Sequence, residues 1–118
     1  MYRDPLLFLD DIKTSATKIM RYTEGMDRTA FETDEKTVDA VVRNLAIIGE
    51  AVKKLPAELK DRYRKVEWRK MAGLRNFVVH EYFGIDTEIL WDVVSNKIPE
   101  LLSYVDEIIS SEDFSQGH

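Results

Sequence analysis

Apolar residues recur at three- and four-residue intervals along most of this chain, the spacing that gathers them on one face of an α-helix. In the first segment Leu9, Ile12, Ala16, Ile19 and Met20 keep that rhythm, while Lys13 and Lys18 take the wet side. Asp4 can cap the free amides there, and Pro5 sits at the first helical position, where its missing donor does no harm. Gly25 and the polar run to Thr33 then predict a stop and a loop. The second segment is the strongest: Val38, Val41, Val42, Leu45, Ile48, Val52 and Leu55 form a wide stripe behind a cap at Thr33 or Asp34. Gly49 interrupts it at a cost of about 1 kcal/mol relative to alanine. Close approach by another helix is the expected reason.

Pro56 ends that run or opens a short helix over AELKDRYRK. Trp68 to His80 predicts a further helix with Met71, Leu74, Phe77 and Val78 inward, stopping between His80 and Gly84. Asp86 or Thr87 can start the final helix, which carries Ile89, Leu90, Val93, Val94, Ile98, Leu101, Leu102, Val105 and Ile108. Pro99 should kink or divide it, because proline lacks the amide and presses on the preceding turn. The expectation is an all-α domain over 1–109, an antiparallel four-helix bundle with an additional short helix, followed by a flexible tail over 110–118. These helices bear more apolar side chain than a slim bundle needs, which points to a homodimer.

Composition narrows the chemistry. The 118 residues include no cysteine, so disulfides and thiolate chemistry are excluded. No apolar run approaches the length of a membrane span, and Asp10 and Asp11 come too early for a signal peptide, so a cytoplasmic location with no membrane association is expected. The net charge of −5 argues against a general nucleic-acid coat, but it is unevenly spread. Residues 60–75 hold seven basic side chains (Lys60, Arg62, Arg64, Lys65, Arg69, Lys70 and Arg75) against Asp61 and Glu67, a net +5 that leaves −10 elsewhere. Such a pole can attract phosphate even on an acidic protein, although composition alone favours a solvated helical face.

The basic stretch runs into RNFVVHEYFG. Of the two histidines, His118 lies in the terminal tail, which leaves His80 as the side chain able to move a proton near neutral pH within a structured segment. Asn76, four residues earlier, shares a helical face with His80 and could fix its tautomer. Arg75 offers a planar fork for a phosphoryl oxygen, but five residues of regular helix would turn it about 140° away from His80. Two copies facing each other would solve that geometry. A histidine and an arginine need no metal when the substrate supplies the nucleophile, as the RNA 2′-hydroxyl does. A core histidine held by Asn76 remains the competing explanation. Arg43 and Glu50, seven residues apart on one polar face, could support a groove or simply face solvent. Trp68 is read first as packing and second as an RNA-stacking platform.

WRKMAGLRNFVVHEYFGID resembles the signature region of the HepT-like proteins, a branch of the HEPN superfamily of small helical domains. VVRNLAIIGEAVKKLP and LWDVVSNKIPELL are similar to their second-helix and C-terminal patterns. The Arg-x4-His-x-Tyr motif falls on Arg75, His80 and Tyr82. The resemblance implies a HEPN-like dimer acting as a metal-independent ribonuclease toxin. Arg75 and His80 would be its catalytic residues, with Asn76 in support and no cofactor needed for RNA cleavage. It further implies a minimal nucleotidyltransferase antitoxin that uses ATP to place AMP on Tyr82, adding negative charge where an RNA phosphate would bind. A noncatalytic helical partner or modification target of such a nucleotidyltransferase is the alternative.

Overall fold

The computed structural model describes residues 4–76 and 86–112. Regular structure within them is entirely helical, in agreement with the all-α, HEPN-like expectation. The elements are α1 (Pro5–Tyr22), α2 (Arg28–Glu32), α3 (Glu35–Lys54), α4 (Ala57–Arg62), α5 (Trp68–Ala72), a 3-10 turn (Gly73–Arg75), α6 (Thr87–Asp92), a π turn (Val93–Lys97) and α7 (Ile98–Ser111). The expected helix end between His80 and Gly84 lies outside the described residues, as do His80, Tyr82 and His118 themselves.

Helix α1 starts as its sequence dictates. The Asp4 carboxylate accepts from the Leu6 amide at 2.9 Å, and Pro5 occupies the first turn. Its inner face, Leu9, Ile12, Ala16 and Ile19, is fully buried against α3 and α7. Burying each of the larger three contributes about 1.5–3 kcal/mol. Met20 was expected in this stripe, but it is 38% exposed because it lies at the edge of the buried arc. In α3, Asp34 caps the Thr37 amide at 3.1 Å, and the whole apolar stripe from Val38 to Leu55 is buried.

The loop expected between Gly25 and Thr33 is corrected: it contains α2. Gly25 turns the chain with φ +78°, and Asp27 then caps the Ala30 amide at 2.8 Å. Phe31 is the reason this single turn and a half persists. It is fully buried, with its ring centroid 5.2 Å from that of Trp91. Thr87 donates a hydrogen bond to Glu32, and Arg28 lies 3.5 Å from Glu88, so α2 also fastens the start of α6. Asp86 caps α6 as expected, accepting from the Glu88 and Ile89 amides.

Two further differences have local causes. Pro99 stands in the first turn of α7, directly after the π turn, so the expected division falls just before the proline. A proline here cannot donate to the carbonyl of Ser95, and the widened turn absorbs that loss. Ile89 is 54% exposed rather than inward, while Leu90 beside it takes the core position. Helix α7 runs to Ser111, and Glu112 is tied back to the α4 end: its carboxylate accepts from the Tyr63 hydroxyl at 2.7 Å and pairs with Arg62.

Candidate active site

Arg75 closes the 3-10 turn that follows α5, and α3 determines where it sits. An ideal Cβ built on Gly49 would lie 2.9 Å from the Ala72 carbonyl oxygen, 3.0 Å from the Arg75 amide nitrogen and 3.3 Å from the Arg75 Cβ. Only a residue without a side chain permits that approach. The close approach expected at Gly49 is therefore real, and the partner is the turn that carries Arg75. Leu74 and Met71 are buried beside it and anchor the same segment to the core.

The next residue of α3 meets the Arg75 side chain. Glu50 Oε1 stands 2.8 Å from Arg75 Nη1, with the two side chains 47% and 43% exposed. The guanidinium is thus oriented by a carboxylate yet reachable from solvent, and its remaining N–H donors suit a phosphoryl oxygen. Glu50 also lines a groove with Phe8, Asp11, Ala46, Ile47 and Lys54. Arg43 does not join the pair. It is exposed one stretch further along α3, where with Lys18, Tyr22, Asp39 and Asn44 it lines a second groove that meets the first at Ile47.

Asn76 is exposed, and its amide N–H reaches back to the carbonyls of Gly73 and Leu74. Its Nδ2 lies 3.8 Å from the point where a Gly73 Cβ would be. The turn at 73–75 interrupts the regular helix expected from Trp68, and residues 77–80 of that expected helix lie outside the described residues.

The basic residues of 60–75 divide into two groups. Arg62 is engaged by Glu112, Lys70 lies 2.7 Å from Glu67, and Lys65 lies 4.0 Å from Glu107 with its ammonium 5.9 Å from the Tyr104 ring centroid. Hydrogen bonds from Arg62 and then from Tyr63 hold the Glu112 carboxyl below the usual range, and hydrogen bonding by Lys70 does the same for Glu67. Burial, followed by its bond to Glu112, pushes the Tyr63 phenol up. Lys60, Arg64 and Arg69 make no ion pair among the described residues, so their charges remain uncompensated locally. Trp68 is half-buried, and its indole N–H donates to the Lys60 and Tyr63 carbonyls at 3.2 and 3.1 Å. It seals the α4–α5 turn and packs partly buried against the core, while Phe77, one of its expected packing partners, lies outside the described residues. The short helix expected over AELKDRYRK ends at Arg62.

Among the described residues no group of three or more His, Asp or Glu side chains is arranged to hold a metal ion, and no helix is long and apolar enough to cross a membrane. The tie from Glu112 to Arg62 and Tyr63 spans about fifty residues and is not legible in the sequence pattern, whereas the Glu67–Lys70 pair follows i,i+3 helical spacing.

A profile of the family described as "Ribonuclease HepT-like" matches residues 12–108. A protein named "Putative RNase" from Methanocaldococcus jannaschii is 44% identical over 107 residues, covering 91% of this chain and 88% of that protein. Another with the same designation, from Caldanaerobacter subterraneus, is 37% identical, with 93% and 98% covered. A protein named "Probable ribonuclease HepT" from Thermococcus cleftensis is 39% identical, with 80% and 86% covered. No solved structure matches the chain.

Proposed function

Because the chain belongs to the HepT-like ribonuclease family, we propose that it is a metal-independent endoribonuclease whose Arg75 and His80 act on an RNA phosphodiester. The observation that carries this reading is the Arg75 guanidinium, half-exposed and seated on α3 at the head of the Arg75–Tyr82 motif. The family supports RNA as the substrate.

In this reaction the RNA 2′-hydroxyl attacks the adjacent phosphorus while a neutral His80 imidazole accepts its proton. The P–O5′ bond breaks, and the departing oxygen takes a proton from the imidazolium of a second subunit. The products are a 2′,3′-cyclic phosphate and a 5′-hydroxyl. Arg75 stabilises the extra negative charge that the crowded phosphorus carries midway. Each subunit has one motif histidine, so a homodimer with facing motifs divides the acid and base roles. Asn76 supports the site, and Lys60, Arg64 and Arg69, with Arg62, Lys65 and Lys70 beside them, lead RNA phosphates toward it.

In the cell this activity is that of a toxin held in check by a nucleotidyltransferase antitoxin. ATP is that partner's AMP donor, and Tyr82 is the acceptor. The test uses the chain purified without any nucleotidyltransferase, incubated with single-stranded and structured RNAs in EDTA. Cleavage to cyclic-phosphate ends, reduced to a small residual rate in both Arg75→Ala and His80→Ala, is the expected result. Partner binding without any cleavage by the unmodified chain would favour a noncatalytic adaptor instead.

A further inference from the structure

We propose that Glu50 is a positioning residue for the cleavage reaction, holding the Arg75 guanidinium in the orientation that receives the scissile phosphate. The proposal rests on the ribonuclease reading above and adds to it a side chain outside the Arg-x4-His-x-Tyr motif.

Two independent features of the fold converge on this role. The absence of a side chain at Gly49 lets the Arg75 backbone approach α3 until its amide nitrogen lies 3.0 Å from where a Cβ would be. That contact fixes the root of the arginine side chain. Glu50, the adjacent residue on α3, then meets the far end, with Oε1 2.8 Å from Nη1. A long, flexible side chain is thereby held at both ends by consecutive residues of one rigid helix. α3 itself is well braced, with its cap at Asp34 and its apolar stripe fully inside the core.

The energetics favour orientation over stability. An ion pair with both partners nearly half-exposed adds little to folding, since solvent screens it. The same pair matters more for geometry, because arginine has several rotatable bonds and a transition-state contact tolerates little misplacement. Glu50 occupies one terminal nitrogen and leaves the other donors of the fork available. Its negative charge draws one edge of the guanidinium toward α3. Of the charged groups around Glu50, Asp11 on α1 and Lys54 on α3 line the same groove, and Arg75 faces it from the 3-10 turn.

The experiment measures kcat and KM on a defined RNA oligonucleotide in EDTA. It compares the unmodified chain with Glu50→Gln, Glu50→Ala, Arg75→Ala and the double variant Glu50→Gln/Arg75→Ala, and follows Tm for each. Glu50→Gln keeps the size of the side chain and removes its charge. The expected result is a fall in kcat of about 10–100-fold for both Glu50 variants, with KM moving less than about 3-fold and Tm nearly unchanged. In the double variant, replacing Glu50 should slow the residual Arg75→Ala activity no further, because Glu50 acts through the arginine. Wild-type kcat in Glu50→Gln would overturn the proposal, as would an equal further loss in the Arg75→Ala background. A wild-type chain that cleaves no RNA overturns the ribonuclease reading and this proposal with it. Active wild type with an indifferent Glu50 overturns this proposal alone.

Discussion

Gly49 lies so close beneath Arg75 that a methyl group on its α-carbon would sit 3.0 Å from the Arg75 amide nitrogen and 2.9 Å from the Ala72 carbonyl oxygen. Both neighbours are backbone atoms of one short segment, so neither can swing aside as a flexible side chain would. The tightness of this contact makes the position of the arginine a property of the core rather than of a surface loop.

Gly49→Ala should therefore destabilise the protein even though alanine is the better helix former. The helical preference favours alanine by about 1 kcal/mol. Forcing the turn away from α3 costs about 1–3 kcal/mol, and the contact to two backbone atoms puts this site toward the upper part of that range. Urea denaturation checks it: a lower midpoint with an unchanged slope is expected, whereas a midpoint equal to or above wild type would contradict the contact.

The tie between Glu112 and the end of α4 should make stability sensitive to acid. The Arg62 hydrogen bond, and then the Tyr63 hydroxyl, hold the Glu112 carboxyl below its ordinary range in the folded protein. A carboxylate depressed on folding stabilises above its unfolded pKa of about 4.3, and that stabilisation is lost as pH falls through the folded value. Thermal melting of wild type and Glu112→Gln from pH 7 to pH 3 tests this. Wild type should melt higher at pH 7, with the gap closing as the carboxylate protonates. A gap that stays constant to pH 3 would contradict the ionic origin of the tie.

RNA affinity should depend on salt through some basic residues more than others. Lys60, Arg64 and Arg69 make no ion pair among the described residues, while Arg62, Lys65 and Lys70 each have an acid partner. Each phosphate contact by a single strand contributes about 0.7 to the slope of log K against log salt. Replacing the first three by alanine should flatten that slope by about 2, measured by fluorescence anisotropy with a 2′-O-methylated RNA. Replacing the second three should flatten it less, because their charge is partly spent on Glu112, Glu107 and Glu67. Equal slopes for the two triple variants would contradict the division.

Local order explains which parts of this fold were legible in the sequence. Asp4, Asp34 and Asp86 cap the amides two or three residues ahead, and the apolar stripe repeats along the twenty-residue helix α3, so pattern and outcome agree. Helix α2 is not legible in the local pattern because it rests on one apolar side chain, Phe31, which packs against Trp91 sixty residues away. Met20 and Ile89 follow the helical period but stand at the edge of a buried arc whose width only the neighbouring helices determine. At the site, the motif pointed to Arg75 and the interruption of α3 at Gly49 pointed to a close neighbour. That these are one contact, with Glu50 meeting the guanidinium, is a nonlocal fact that spacing does not encode.

In the proposed reaction the RNA itself supplies the nucleophile to a site built from Arg75 and His80. The most direct measurement uses two otherwise identical RNA oligonucleotides, one carrying a single 2′-deoxynucleotide at the cleavage position, incubated with the unmodified chain in EDTA. Cleavage of the all-ribose strand to a 2′,3′-cyclic phosphate, with the deoxy-substituted strand bound but intact at that position, is the predicted result. Cleavage of both strands at the same phosphodiester would contradict it.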